Sequence, residues 1–168
     1  MTPPDSSSLK QALSDFYQHS GFGEVIGQRP SLVPVYTGCM LVPLPNIETR
    51  HRYLKYHDLH HLVTGYSVGR IGEGEVSAWE LGTGSAFKSP ILAVMNLIAL
   101  STGLILEPRR MWRAFRRGCR STNLYSLDAR RKIDDDYWTR LTDLQNDRLE
   151  SRTERIPVPI RAFEFLFY

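Results

Sequence analysis

The chain has 168 residues, of which 42% are hydrophobic and 23% are charged. These proportions are typical of one globular domain, so they exclude a collagen-like chain and a wholly disordered one. The two cysteines, Cys39 and Cys119, are far apart and form no CxxC pair. This spacing argues against a disulfide framework or a cysteine zinc cage, and it is typical of a protein from a reducing compartment.

The N-terminal region predicts two short elements. Residues 1–8 are expected to fray, and Leu9–Phe16 has apolar residues at helical spacing, which predicts a short amphipathic helix. Further along, Leu32–Tyr36 and Cys39–Val42 flank Thr37-Gly38. This arrangement predicts a small hairpin or an extended segment.

The remaining chain predicts helices that begin and end at glycine, proline and capping residues. The predicted helices are Asn46–Thr64, Glu73–Leu81, Ile91–Leu106 after Ser89-Pro90, Arg109–Arg117 and Asp134–Glu150. Two prolines near the C-terminus predict that residues 156–168 form an extended tail on the body. We therefore expect a mainly α fold, a compact multi-helix single domain over residues 1–168. It has a short N-terminal hairpin or extended segment and peripheral tails at 1–8 and 156–168.

The net charge of +3 conceals one strongly basic segment. Residues 109–132 carry 9 basic and 1 acidic side chains, a net charge of +8, whereas residues 1–108 carry −2 and residues 133–168 carry −3. All but 4 of the 21 basic residues are arginines, whose planar guanidinium pairs well with phosphates and carboxylates. The segment predicts either an anion-binding surface or a solvated helix paired with the acidic run Asp134-Asp135-Asp136.

A cluster of histidines predicts a metal site on the helix Asn46–Thr64. His57 and His61 are four residues apart, so they lie about 40° apart on the helical wheel. Asp58 lies beside them, and Glu73 begins the next predicted helix, where an antiparallel turn would bring it opposite the histidine pair. An HxxxH pair alone is more often a solvated surface, but the nearby carboxylates favour a ligand set. His60 lies to the other side and is expected to support the site or to be exposed.

Two histidines with one or two carboxylates suit a divalent metal. Zinc with an exchangeable water accepts this set, and so does non-haem iron. From the residues alone, Asp58 is either a ligand or a base that orients the neighbouring groups. A neutral histidine at this site could carry a proton near neutral pH.

The same residues form a spaced motif, HDxxH-x11-E, from His57 to Glu73. It resembles the motif of the Coq-four family of ubiquinone-biosynthesis proteins. The stretch Leu62–Tyr66 and Gly72 before Glu73 are similar to that family as well, and the resemblance extends over roughly residues 53–149. It implies a mainly helical fold and a divalent metal, with zinc favoured and iron the alternative. The implied metal ligands are His57, Asp58, His61 and Glu73.

The resemblance also implies an activity on an aromatic or quinone-precursor ring, with or without a prenyl chain. The implied reaction is oxidative removal of the ring carboxylate with hydroxylation at that carbon, a lyase-type activity with His57, Asp58 and His61 as catalytic residues. Some relatives within that family belong to specialised metabolism, so the resemblance also allows a pathway of that kind. The alternative is a non-catalytic scaffold of a biosynthetic complex, which binds an isoprenoid lipid and keeps a structural metal. A His-Asp phosphohydrolase is disfavoured because no histidine follows His61.

Two consecutive helices predict contact with lipid. Ile91–Leu106 is apolar on nearly all sides, which predicts either a core helix or the wall of a prenyl groove. The next helix has an apolar stripe among arginines, and a basic amphipathic helix with a tryptophan suits an anionic membrane surface or a lipid diphosphate. The predicted lipid- or anion-binding residues are Trp112, Arg113, Arg116 and Arg117.

The remaining expectations concern location and partners. Residues 1–20 show neither an apolar signal core nor an arginine-rich transit pattern, and Ile91–Leu106 is too short to span a bilayer. We therefore expect a cytoplasmic protein, free or peripheral on the inner face of a membrane. The expected partners are a small aromatic or prenylated substrate and further copies of the chain or a biosynthetic complex. Nucleic acid is not an expected partner, because no reading motif accompanies the basic helix.

Overall fold

The computed structural model describes residues 8–20, 32–37, 40–45, 48–151 and 157–167. Within these residues the fold is mainly α, as predicted. The helices are α1 (Leu9–Ser20), α2 (Glu48–Thr64), α3 (Arg70–Gly82), α4 (Pro90–Leu106), α5 (Pro108–Gly118), α6 (Leu127–Asp134), α7 (Leu141–Arg148) and α8 (Val158–Phe167). The strands are β1 (Leu32–Thr37) and β2 (Met40–Pro45).

The predicted hairpin is confirmed. Strand β1 pairs with β2 in antiparallel register, with Leu32 opposite Pro45 and Thr37 opposite Met40. The predicted turn residue Gly38, and Cys39 after it, lie outside the described residues.

Most helix boundaries follow the predicted signals. Gly65 takes a left-handed φ of 76° directly after α2, a conformation that glycine adopts without strain. Pro90 and Pro108 occupy the first positions of α4 and α5, where a missing N–H costs no hydrogen bond. Helix α3 begins at Arg70, three residues earlier than predicted, so that Glu73 lies in its first turn.

The predicted helix Asp134–Glu150 is wrong. Helix α6 has already ended at Asp134, Asp136 takes a left-handed φ of 54°, and α7 begins only at Leu141. Two causes are visible in the sequence. The Ser126 side chain accepts the Ala129 N–H and starts a helix earlier, and a run of carboxylates at a helix C-terminus opposes the helix dipole.

Both predicted tails need correction. Residues 158–167 form helix α8 rather than an extended tail, since Pro159 lies in its first turn, where proline is tolerated. Phe165 of α8 packs against Trp112 and Phe115 of α5. At the other end, Ser8 does not fray: its hydroxyl accepts the Gln11 N–H and caps α1, while residues 1–7 lie outside the described residues.

The hydrophobic core has two clusters, and helices α2 and α3 belong to different ones. The first cluster joins α1, α2, α6 and α7 and includes Leu59, Leu124, Trp138 and Leu144. The second joins α3, α4 and α5 around Trp79, Met111 and Phe115. The side chains that link α2 directly to α3 include histidines and glutamates, so the border between the clusters contains polar groups.

Close packing of α3 on α5 fixes the position of α3. A Cβ atom at Gly118 would overlap the Trp79 carbonyl, and one at Gly82 would overlap the Phe115 carbonyl. Only glycine allows the two backbones to approach this closely. This contact holds the helix from which Glu73 and Glu80 reach toward α2.

Candidate metal centre

Three side chains from two helices meet at the border between the clusters. His57 and His61 of α2 and Glu73 of α3 each offer one ligand atom, and these atoms lie within 4.8 Å of one another. Glu73 Oε2 is 3.2 Å from His57 Nε2, and Glu73 Oε1 is 3.3 Å from His61 Nε2. The predicted meeting of the histidine pair with Glu73 is therefore observed, and these three residues are called the metal group below.

The ring of His61 is oriented by the turn after α2. Its Nδ1–H donates to the Tyr66 carbonyl at 3.1 Å, and since a carbonyl only accepts, Nδ1 carries the proton. The other nitrogen, Nε2, is buried and makes no well-aligned hydrogen bond. Arg117 holds the turn by donating to the Thr64 carbonyl at 2.7 Å and by lying over the Tyr66 ring.

The ring of His57 is oriented from α3. Its Nδ1 lies 2.8 Å from Oε1 of Glu80, a glutamate that is completely buried. Nε2 then faces Glu73. Metal-binding histidines commonly donate the remaining ring N–H to a carboxylate or a backbone carbonyl, which fixes the ring and increases its basicity. His57 and His61 have one such partner each.

The charges of the metal group are strongly coupled. Burial alone would raise the pKa of Glu73, but the neighbouring His57 and His61 rings lower it to about 2. Burial opposes the charge on His57, but Glu80 and Glu73 outweigh it and raise the pKa of His57 well above its ordinary value. Both glutamates therefore favour a positive charge at the position of the His57 ring.

The geometry of the metal group fits a divalent ion. Zinc binds histidine nitrogen and carboxylate oxygen at about 2.0–2.1 Å, which places two ligands of a tetrahedron about 3.3 Å apart. The distances of 3.2 and 3.3 Å join the two histidines to different oxygens of Glu73, and one ligand atom from each residue lies within 4.8 Å of the others, which is close enough for the three residues to hold one ion. The His61 side chain is 1% exposed, whereas those of His57 and Glu73 are 21% and 33% exposed. The group could thus hold an ion with one side open to an outside ligand.

Asp58 lies next to the metal group along α2 but is not part of it. Its Oδ2 accepts the Tyr17 hydroxyl at 3.1 Å, and burial raises the pKa of its carboxyl. Its role as a ligand or as an orienting base stays a prediction.

Helix α1 contributes residues that the sequence did not indicate as part of the site. Phe16 stacks on the His61 ring with centroids 5.9 Å apart, and Tyr17 donates to Asp58. The predicted helix ends at Phe16, and nothing in the sequence indicates that its last turn packs against α2. The sequence also did not indicate Glu80, although it lies seven residues after Glu73 and hence on the same side of α3.

The five arginines of α5 divide into two sets. Arg110 and Arg117 make internal contacts, with Glu75 and with the turn after α2 respectively. Exposed on one stripe of α5 are Arg109, Arg113 and Arg116. Trp112 is partly covered by Phe165.

One alternative predicted that the acidic run Asp134-Asp135-Asp136 pairs with the arginines of α5. The structure pairs two of these carboxylates with lysines instead. Asp134 pairs with Lys55 at 3.4 Å and Asp136 with Lys10 at 2.6 Å. These ion pairs lie at a separate cavity of about 420 Å³ beneath α1, whose apolar wall includes Leu9, Leu13, Leu59, Ile133 and Trp138. That cavity contains no residue of the metal group and none of α4.

Helix α4 is only partly buried. Leu92 and Leu100 face the core, whereas Val94, Ile105 and Leu106 are half exposed or more. None of the described helices has both the length and the apolar character needed to cross a membrane. No protein-family model, curated protein or solved structure matches the chain.

Proposed function

We propose that this protein is a metal-dependent enzyme that acts on an aromatic or quinone-precursor ring. The observation that supports it most is the metal group, in which His57 Nε2, His61 Nε2 and the Glu73 carboxylate converge. The spaced motif from His57 to Glu73, which resembles that of the Coq-four family, supports the class of substrate. Zinc is the proposed metal and iron the alternative.

The partial exposure of the metal group favours an enzyme over a scaffold. A structural zinc has four protein ligands, whereas a catalytic ion keeps a position for water or substrate. Here three protein ligands converge, and Glu73 and His57 remain partly exposed. A non-catalytic lipid-binding scaffold with a structural ion is the alternative proposal.

The residues around the metal group suggest separate roles in the reaction. His57, His61 and Glu73 would hold the ion, which when bound would attract a ring carboxylate and withdraw electrons from the ring. Asp58, which accepts a hydrogen bond from Tyr17, is the proposed proton carrier. Phe16 would border the ring of the substrate beside His61. The proposed outcome is loss of the carboxylate as CO2 and hydroxylation of that carbon, in which water supplies the hydroxyl group and external dioxygen takes up the two electrons and is released as hydrogen peroxide.

Metal analysis of the purified protein tests the first part of the proposal. The wild type should retain about one zinc ion per chain after dialysis, whereas His61→Ala and Glu73→Ala should lose it, because each removes one of three protein ligands. His19→Ala is the matched control, since His19 lies on the exposed face of α1 and bonds to the Asp15 carbonyl of its own helix. Equal metal in all four proteins, or none in any, would show that the site assignment is wrong.

Binding of an aromatic carboxylate separates the enzyme from the scaffold. Cobalt can replace zinc, and its visible spectrum reports a change of ligands. Adding 4-hydroxybenzoate should change the spectrum of the cobalt-loaded wild type if a position is open. A spectrum that stays the same at saturating ligand would favour a structural ion.

We propose that the protein acts at an anionic membrane surface. The exposed arginines Arg109, Arg113 and Arg116 share one stripe of α5, and the exposed Ile105 and Leu106 precede that helix. Arginines next to exposed apolar side chains are typical of helices that lie on anionic lipid. This proposal no longer includes Arg117, whose guanidinium binds the Thr64 carbonyl.

Vesicle co-sedimentation tests the membrane proposal. Arg113→Ala/Arg116→Ala should bind phosphatidylserine vesicles more weakly than the wild type, by up to about 2 kcal/mol, because each basic residue near the surface contributes about 1 kcal/mol. Lys10→Ala/Lys55→Ala removes the same charge elsewhere and should bind like the wild type. Equal binding of both double variants at low salt would contradict a specific surface on α5.

A further inference from the structure

Glu80 has an unusual set of partners for a buried carboxylate. It is completely buried on α3, and its Oε1 has three hydrogen-bonding neighbours. These are His57 Nδ1 at 2.8 Å, His60 Nδ1 at 2.7 Å and the Tyr125 hydroxyl at 2.7 Å. Its other oxygen, Oε2, is buried and has no hydrogen-bond partner among the residues that the structure describes. All of the hydrogen bonding is thus concentrated on the oxygen that faces His57.

The direction of each hydrogen bond follows from the partners. His60 Nε2 accepts the Leu124 backbone N–H at 2.9 Å, so the proton of a neutral His60 ring lies on Nδ1 and is donated to Glu80. A carboxylate cannot donate, so the Tyr125 hydroxyl and His57 Nδ1 also act as donors. For His57 this leaves Nε2 as the nitrogen that faces Glu73 and a metal ion.

Two of these donors anchor the carboxylate itself. His60 is completely buried and packs against the rings of Trp79 and Tyr125, with centroids 5.0 and 4.9 Å away. Tyr125 lies in the connection between α5 and α6, where Asn123 accepts its backbone N–H and donates to Thr83. Glu80 is therefore held from α2 and from this connection, independently of His57.

We propose that Glu80 is a positioning residue for the metal centre, anchored by His60 and Tyr125 so that its carboxylate aims His57 Nε2 at the ion. The inference rests on the proposed metal site but concerns a residue outside the spaced motif. The same proposal assigns a role to His60, which holds Glu80 and does not bind the ion.

A pair of glutamate-to-glutamine variants tests this role. Glu80→Gln removes the charge but keeps the size of the side chain. Glu75→Gln is the matched control, because Glu75 is also buried on α3 but binds Arg110, away from the metal group. Loss of a residue that orients a ligand lowers metal affinity by roughly 10–100-fold. We expect this loss in Glu80→Gln and a wild-type affinity in Glu75→Gln, measured by zinc competition against a chromophoric chelator.

The spectrum of the cobalt-loaded proteins separates positioning from general destabilisation. A change in ligand geometry should shift the visible bands of Glu80→Gln, whereas a merely structural role would lower the melting temperature and leave the bands and the zinc affinity unchanged. The latter result would overturn the inference. If Glu80→Gln does not fold, Tyr125→Phe takes its place, since it leaves Glu80 with one anchor fewer. It should bind zinc more weakly than the wild type, and an unchanged affinity would count against the inference.

Failure of the metal proposal would be recognised separately. If the wild type binds neither zinc nor cobalt, NMR of the ring nitrogens still tests the contact itself. The Nδ1 signal of His57 should then shift between wild type and Glu80→Gln, while His60 keeps its Nδ1 proton because Leu124 still donates to Nε2. An unshifted His57 signal would mean that Glu80 does not control this ring.

Discussion

Two glutamates on α3, seven residues apart, show how one helix face can build an open site and a closed one. Glu73 faces His57 and His61, and a third of its side chain is exposed. Glu80 faces His57 and His60 and is completely buried. Burial opposes the charge on both carboxylates, yet their histidine neighbours lower the pKa of each below its ordinary value.

The two glutamates differ in the groups that contact their carboxylate oxygens. Protein donors fill one oxygen of Glu80, so its charge serves to hold neighbouring side chains. Among the described residues, the Glu73 carboxylate contacts two histidine nitrogens and partly faces solvent, so it can also bind an ion.

The largest expected effect is on stability. Glu80→Ala should lower the free energy of unfolding by about 3–5 kcal/mol, because it strands buried donors that no water can reach. Glu73→Ala should cost about 1 kcal/mol or less, since Glu73 and its neighbour His57 are partly exposed and water can replace their contact. Urea denaturation in the presence of a chelator measures both values. If both variants lost the same free energy of unfolding, the distinction between the buried site of Glu80 and the open site of Glu73 would be wrong.

Metal addition should give the next largest effect. A ligand that binds only the folded state stabilises it by about 2.7 kcal/mol at 100 times its Kd. Zinc should therefore stabilise the wild type and leave Glu73→Ala unchanged, and removal of zinc with a chelator should reverse the gain. Similar stabilisation of both proteins would place the ion elsewhere.

The pH dependence of the metal-free protein should show a smaller effect, about 1 kcal/mol after allowance for solvent screening. The folded-state pKa of Glu73, about 2, lies below the ordinary value of 4.5, so its contribution is present above 4.5 and lost as pH falls toward 2. The pKa of His57 is raised, so its contribution is present below 6.5 and lost as pH rises through the folded-state pKa.

Urea denaturation from pH 2 to 9 measures both trends: the loss of stability at low pH, called the acid limb, and the loss at high pH. Glu73→Gln should flatten the acid limb, because it removes the carboxyl whose pKa is lowered. Zinc should reverse the alkaline trend, because the ion competes with the proton on Nε2 and binds better at higher pH. An acid limb that is the same in Glu73→Gln and wild type would show that Glu73 is not held by the histidines.

The sequence indicated the metal group because its geometry is local. His57 and His61 share a helix face by spacing alone, and Gly65 marks the turn that brings the chain back to Glu73. Glu80 could not be inferred in the same way, since its donors come from His60 and from Tyr125, 45 residues further along the chain. The contact of Phe16 with His61 depends equally on how α1 packs.

The two main errors in the fold have different origins. Tyr137, Trp138, Leu141 and Leu144 have helical spacing, but Asp136 breaks the backbone before them, and a periodic pattern alone does not show such a break. In the C-terminal region, prolines that suggested an extended tail instead begin a helix, since Phe165 finds an apolar site on α5.

X-ray absorption at the zinc edge of the loaded protein tests the metal centre most directly. We expect scattering from two imidazoles and from carboxylate or water oxygen, with bond lengths of about 2.0–2.1 Å. A zinc shell without imidazole, or with sulfur at about 2.3 Å from a cysteine, would contradict a metal centre built from His57, His61 and Glu73.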